Sequence, residues 1–521
     1  MAVSITLVGG AIVVLFSIYK YLLYPALLSP LAKIPAANFS TRFSSLWINY
    51  ISWKNLENNT LYQLHQRLGR IVRLGPNELS VDCYKGGLKT IYNGGFSKTK
   101  FYHNRFLNYG TENSFPMIDK KKHSDRKKNA FERLFELCDP VFSHSERNDE
   151  IGPIRPSTTK FSKSRQFLHA TRYSFMAYQF GLSLGSDFIR DAAKRNWYLD
   201  NFFGRRPWIY WITEHPGLAS FTSKFGLRIV PKFVDESTDA LEAWQIDICD
   251  KAEALLSMNP HIANNDPKNF PAVYAMERAQ FMKLDGKERV ADTGQAYPRR
   301  LEIASDMYDH NAAAHETSGD TLTYLYYEMS RRPDLQAALR TELQSLSPQM
   351  PSPAPDAPCI LPDPKHVDQL PLLDAILQET LRRWVAVPGP QFRCTPLGGT
   401  SLAGYDNIPA GVRVSCLAYS LHRNPEVFPE PLEWKPERWL NATPKELRKM
   451  RHWFWAWGSG GHMCIGSNFA IHSMKHAVAA LYSNFTTEIF DAEGIEQAEG
   501  FTAGPIGEKL ILRFEKVADV A

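Results

Sequence analysis

Residues 457–466 read WGSGGHMCIG. Gly458, Gly460, Gly461 and Gly466 surround one cysteine, Cys464, and His462 stands two places before it. Glycine reaches backbone angles closed to other residues and lets neighbouring groups approach the chain closely. Four glycines in ten residues therefore describe a tight loop that presents a single thiol. A catalytic thiol wants a nearby base, but in an extended loop positions i and i+2 need not meet. A structural zinc wants four ligands, and only His452, His462 and Cys464 lie locally.

The surrounding chain sets the scale. At 521 residues, 44% hydrophobic and 12% aromatic, it is long and apolar enough to bury a large core, and its composition excludes disorder. A formal charge of +5 is small for this length and does not describe a nucleic-acid binder. The seven cysteines (83, 138, 249, 359, 394, 416 and 464) are scattered, odd in number and include no C-x-x-C pair. They form neither a disulfide framework nor a zinc knuckle, so a reducing compartment is expected. Any one of them is by default a small buried hydrophobe.

The N-terminus is distinct. VSITLVGGAIVVLFSI, from Val3 to Ile18, carries no charge, and YKYLLYPALL follows with tyrosines placed like interfacial aromatics. Counted to Leu23, the run is long enough to span a bilayer. Lys20 and Lys33 follow it and nothing basic precedes it, which puts the rest of the chain on the cytosolic side. The rival, a cleaved signal peptide, lacks its basic start and small-residue cleavage site. Residues 1–24 are thus expected as a transmembrane anchor, 25–36 as a proline-containing connector and 37–521 as one catalytic domain.

Within that domain no internal repeat is visible. RIVRLGPNELSVD, residues 70–82, reads as a hairpin, and the polar stretch 143–165 as a surface loop. Helical patterns dominate from about 165 to 385. Leu301–Met329 runs 29 residues without proline, and LPLLDAILQETLRRW sets Leu370, Leu373, Leu377 and Leu381 on one helical face. Seven prolines in residues 347–364 make a loop between helices. Residues 390–440 are irregular and strand-like, and the segment after Cys464 is helical again. The fold class is mainly α with a small β component.

A glycine-rich loop that enters a helix with one thiolate at the junction suits a metal bound from one side, because the helix N-terminus stabilises the thiolate. The large flat ligand that takes one cysteine axially is haem. Here the sequence resembles the cytochrome P-450 family, whose loop follows F-x-x-G-x-R-x-C-x-G. Gly460, Cys464 and Gly466 match, while Trp457 replaces Phe and His462 replaces Arg. The Trp keeps an aromatic wall. His462 still offers a hydrogen bond to a haem propionate, with a charge that depends on pH.

Further segments follow in the family's order. ETLR supplies Glu379 and Arg382 on one helical face, and WKPERW supplies Arg438, which the resemblance joins to them in a Glu–Arg–Arg cluster. By itself, E-x-x-R is also an ordinary surface pair worth roughly 0.2–0.5 kcal/mol. AAAHETS places Ala313, Ala314, Glu316 and Thr317 where the family carries small residues and an acid–alcohol pair that relays protons to oxygen. Ala314 replaces the usual Gly, and His315 reads as a packing or hydrogen-bonding residue rather than a second ligand. His123 and Lys127, with Arg126 as a neighbouring candidate, and Arg393 resemble propionate contacts, since an anion needs cationic donors.

The resemblance spans most of the chain and is greatest to fungal members, although Ile34-Pro35-Ala36 replaces their usual Pro-Gly-Pro. It implies a single helical domain holding haem b through the Cys464 thiolate. It implies a monooxygenase that inserts one oxygen atom from O2 into a lipophilic small molecule, such as a terpenoid, polyketide or alkaloid intermediate. Catalytic roles fall to Glu316 and Thr317. Substrate contacts are expected from Asp309, Ala313, Val387 and the segments 113–117, 385–387 and 503–506. The 57 residues after Cys464 show no flavin or nicotinamide domain, so a separate NADPH-dependent flavoprotein reductase is expected as partner. PKELRKMRHW, residues 444–453, offers it a basic patch or is merely a solvated face. The expected location is the endoplasmic reticulum membrane with the catalytic domain cytosolic. Three rivals remain: a non-catalytic haem protein, a haem-thiolate isomerase or dehydratase working without reductase, and a secreted protein using other cysteine chemistry.

Overall fold

The computed structural model describes residues 2–124, 126, 161–163, 175–188, 191–285, 299–351 and 360–517. The helices that position the site are α1 (Ala2–Ile18), α2 (Lys232–Met258), α3 (Ala272–Leu284), α4 (Arg300–Ser330), α5 (Pro333–Leu343), α6 (Pro371–Arg383), α7 (Pro444–Trp453) and α8 (Ser467–Asn484). The strands are short: β1 (Ile71–Gly75), β2 (Glu78–Val81), β3 (Ser97–Lys98), β4 (Phe161–Lys163), β5 (Arg393–Cys394), β6 (Thr400–Leu402), β7 (Tyr405–Ile408), β8 (Arg413–Ser415), β9 (Phe485–Asp491) and β10 (Ile511–Lys516). The mainly helical class read from the sequence is the one observed.

The axis of the domain is α4. Its 31 residues, free of proline, span about 46 Å at roughly 1.5 Å per residue. It stops at Ser330 because Pro333 opens α5 and pushes the preceding Arg332 out of helical geometry, to φ −129° and ψ 72°. From Ser318 to Ser330 every residue but Tyr327 is buried, which marks a core helix. Its Leu322, Leu325 and Met329 join Leu373, Leu377 and Leu381 of α6 and Met474 and Val478 of α8 in one cluster. The leucine face read from the sequence on α6 is fully inside, with Leu370, Leu373, Leu377 and Leu381 all buried.

The β component sits to one side. Its main sheet has the order β1-β2-β8-β5-β3, and the expected hairpin is β1 and β2, antiparallel with Ile71 opposite Val81. A second sheet runs β4-β10-β9 and a third is the hairpin β6–β7. Strand β4 corrects the reading of 143–165 as loop throughout: residues 161–163 pair antiparallel with β10, where Lys163 meets Ile511. A three-residue strand completes its ladder from a partner distant in sequence, so no local pattern announces it. The rest of that stretch and the prolines of 352–359 lie outside the described residues.

Among the described residues, one helix is long and apolar enough to cross a membrane, Val8–Leu28. It joins the Val8–Ile18 part of α1 to its π-helical continuation Tyr19–Leu28, which runs through Pro25. Side chains such as Val13, Leu15, Phe16 and Leu27 are exposed along it. The Ser29 hydroxyl then accepts from the Leu31 N–H, and Leu31 and Ile34 are buried against the β1–β2 region, so the connector is seated on the body.

Candidate functional site

The loop quoted first closes on itself. The Cys464 N–H donates to the Trp457 carbonyl at 2.9 Å, and the Met463 N–H to that of Gly460 at 3.1 Å. Gly460 is required twice over. Its φ is +67°, and a Cβ there would stand 2.4 Å from the Tyr92 carbonyl oxygen. Gly466 then leads directly into α8. Burial pushes the thiols of Cys83, Cys249 and Cys416 up, so they stay protonated at neutral pH. Cys464 differs from these in being exposed.

What it is exposed to is a cavity of about 800 Å³, within the range of roughly 300–1,000 Å³ typical of ligand pockets. Cys464 lines it from the loop, while Ala313, Glu316 and Thr317 line it from α4. Trp457, His462, His123, Arg393, Asp309 and Val387 all reach the same cavity. His123 and His462 meet there, Nε2 to Nδ1, at 3.2 Å. Arg393 is buried on β5 and donates through Nη1 to the Tyr102 hydroxyl at 2.9 Å and the Phe392 carbonyl at 2.7 Å. Among the described residues its buried Nε has no hydrogen-bond partner. An exposed thiol, two facing imidazoles, a guanidinium with an unused donor and a small-residue helix face fit a haem with anionic propionates. Lys127 lies outside the described residues. Arg126 lines the same cavity and is held there in a buried ion pair with Asp306. Asp306 also accepts from the Ser114 N–H at 2.8 Å and thereby ties the 113–117 segment to α4. From that segment, Ser114 and Phe115 line the cavity. Ile506, expected as a substrate contact, is instead 64% exposed at the surface.

The acid–alcohol pair on α4 is adjacent in sequence but divided in its bonds. Glu316 Oε1 accepts from Arg206 Nη2 at 2.6 Å and from Thr502 Oγ1 at 2.8 Å. Thr317 Oγ1 turns back to donate to the Ala313 carbonyl at 2.9 Å, a bond that tends to bend helices. One turn on, Asp320 is buried beneath Gly504, where a Cβ would come within 2.5 Å of its carboxylate. Burial and the neighbouring Glu316 charge push its carboxyl up to about 8. Asp309 is pushed up to about 7 by burial and by Asp306, against the opposing pull of Lys98. His315 is fully buried among the rings of Tyr198, Phe202 and Phe203, which is the packing role read from its neighbours.

Glu379, Arg382 and Arg438 come together away from solvent. Glu379 Oε1 accepts from Arg382 Nη2 at 2.7 Å, the Lys435 N–H at 2.9 Å and Arg438 Nε at 3.0 Å. Its Oε2 accepts from Arg382 Nε at 2.9 Å and Trp439 Nε1 at 3.0 Å. Both Glu379 and Arg382 are completely buried, so this is no surface pair. Sequence reasoning missed the residue that couples the cluster to the cysteine loop. His422 donates from Nδ1 to the Arg382 carbonyl at 3.0 Å, and its Nε2 accepts from the Trp455 N–H at 2.7 Å. Burial and the Arg382 charge push this imidazole down to about 3, so it is held neutral in the tautomer both bonds need.

A long core helix facing a glycine-bound thiol across a cofactor-sized cavity, with a buried Glu–Arg–Arg cluster behind the loop, defines a haem-thiolate protein. Comparison with known proteins agrees. Residues 278–510 match the model of the cytochrome P-450 family. Cytochrome P-450 monooxygenase orf2 of Aspergillus niger is 24% identical, with 94% of each chain covered. Cytochrome P-450 monooxygenase hkm5 of Aspergillus hancockii is 25% identical over 91% of this chain and 89% of its own. Cytochrome P-450 monooxygenase FGM1 of Gibberella zeae reaches 33% over 41% of each. The chain belongs to the cytochrome P-450 family, as a fungal-type monooxygenase whose cofactor is haem with an axial cysteine thiolate. Members of this kind take electrons from a redox partner and act with O2.

Proposed function

We propose that the chain hydroxylates, or oxidises in a related way, a largely apolar small molecule of fungal specialised metabolism, with Cys464 as the haem ligand. The observation that carries this is the single cavity that Cys464 and the Ala313–Thr317 segment of α4 line together. A haem bound there supplies dioxygen activation, with the thiolate favouring O–O cleavage. The chain's own residues do the rest. Helix α8, opening at Gly466, stabilises the thiolate. His462, His123 and Arg393 line the cavity and would hold the cofactor by its propionates. Ala313, exposed on the cavity side of α4, leaves room above it. Thr317 and Glu316 hold the proton supply, with Arg206 and Thr502 fixing the Glu316 carboxylate. Ala313, Asp309 and Val387 contact the substrate.

Electrons come from a separate NADPH-dependent flavoprotein reductase. Its docking surface is α7, whose Lys445, Arg448, Lys449 and Arg451 are all exposed and suit an acidic partner face. The Val8–Leu28 helix anchors the chain in the endoplasmic reticulum membrane with the domain cytosolic.

The test is microsomal co-expression with a fungal reductase, comparing metabolites of strains with and without the gene. A product one oxygen atom heavier than a metabolite it depletes, formed with NADPH and reductase, is expected. A product formed equally well without either would overturn the reading.

A further inference from the structure

The wall of the cavity around Arg105 carries cations that its own carboxylates do not use. Arg105, on the helix Lys100–Phe106, lines the cavity with its guanidinium over the rings of Phe501, Phe106 and Phe101 at 5.0, 5.6 and 5.8 Å. Among the described residues it makes no hydrogen bond and no ion pair. Burial, only partly offset by the more distant Glu316, brings it down to about 10, so it remains charged at neutral pH.

Each carboxylate near it is already engaged. Glu316 is held by Arg206 and Thr502. Glu214 takes a two-pronged contact from Arg413 at 2.8 and 2.6 Å. Glu57 accepts from the Ser52 hydroxyl at 2.7 Å and is pushed up to about 7 by burial, so it is only partly ionised. Among the described residues a second cavity-lining cation, Arg205, donates to the neutral hydroxyls of Thr238 and Tyr308 alone, and its buried Nε has no hydrogen-bond partner there. A guanidinium fork without an acceptor, caged by aromatic rings in a cavity wall, is built for a planar anion attached to an apolar body.

We propose that Arg105 anchors a carboxylate on the substrate, whose apolar body lies against Phe106 and Phe501 and extends toward Ala313. The inference rests on the monooxygenase reading and narrows its substrate to an apolar acid. It also gives the charged groups in the wall of the cavity a role beside the apolar ones.

The experiment is a spectral titration of the full-length ferric haem protein at neutral pH with matched pairs: dodecanoic acid and dodecanol, biphenylcarboxylic acid and biphenylmethanol. A charge-assisted contact in a partly desolvated wall predicts that an acid binds roughly 10- to 100-fold more tightly than its alcohol. Arg105→Gln brings that ratio to about one, and Arg105→Lys restores part of it. If the Gln variant fails to assemble, Arg105→Met carries the same expectation. A ratio near one in wild type for both pairs, no binding of either acid, or a preference that survives loss of the guanidinium overturns the proposal. Failure of the underlying reading looks different: the reduced protein with carbon monoxide would then lack the thiolate-type Soret band whatever ligand is added.

Discussion

Replacing Glu379 with Gln asks whether the cluster behind the cysteine loop is structural bedrock or an ordinary helical pair. The carboxylate accepts five hydrogen bonds, three at Oε1 and two at Oε2. A Gln that keeps its oxygen toward the three donors turns its NH2 toward the other two, Arg382 Nε and Trp439 Nε1. Donor then faces donor, and the completely buried Arg382 and nearly buried Arg438 lose the anion they share. Removing one partner of a buried ion pair costs about 3–5 kcal/mol, whereas a solvated E-x-x-R pair is worth about 0.2–0.5 kcal/mol. The two readings differ by roughly tenfold, well outside experimental error. The assay is urea titration of the thiolate-type carbon monoxide band in wild type and variant. A loss of several kcal/mol is expected, and a loss below about 1 kcal/mol would refute the reasoning.

Other consequences follow from single residues. His422 has a folded pKa of about 3, below the roughly 6.5 of an unfolded histidine. Its contribution is therefore fully present above about pH 6.5 and is lost as pH falls toward 3. Between pH 7 and 5 wild type should lose roughly 2 kcal/mol more than His422→Asn in parallel unfolding titrations, and parallel curves would exclude it. Gly460→Ala should sharply lower the yield of thiolate-ligated protein, because φ is +67° and the Tyr92 carbonyl blocks a Cβ; Gly461→Ala, with nothing within 4 Å, is the control that should assemble. Asp309, with its carboxyl at about 7, is neutral below that pH and charged above it. Dodecanol binding should weaken as pH rises through 7, and Asp309→Asn should flatten the profile.

What the sequence made legible was whatever is local. The leucine face of α6 follows from i, i+3, i+4 spacing, and the thiol loop from its glycines. The Glu379–Arg382 pair was visible as a spacing, but its complete burial was not, because burial is decided by residues 420–440 folding over it. His422 escaped for the same reason: its two partners lie 40 and 33 residues away. Glu316 was legible as half of an acid–alcohol pair, yet its actual partners are 110 and 186 residues distant. Arg105 carries no motif at all. Only the folded wall shows that its neighbours are spoken for.

The central claim is that Cys464 holds haem by its sulfur. Express the full-length chain and its Cys464→Ala variant in eukaryotic microsomes, reduce both, add carbon monoxide and record the Soret band. Wild type should give the strongly red-shifted band of thiolate ligation, and the variant should lose it while the protein remains folded. A wild-type band at the ordinary histidine-ligated position, or a red-shifted band that persists in the variant, would contradict the account.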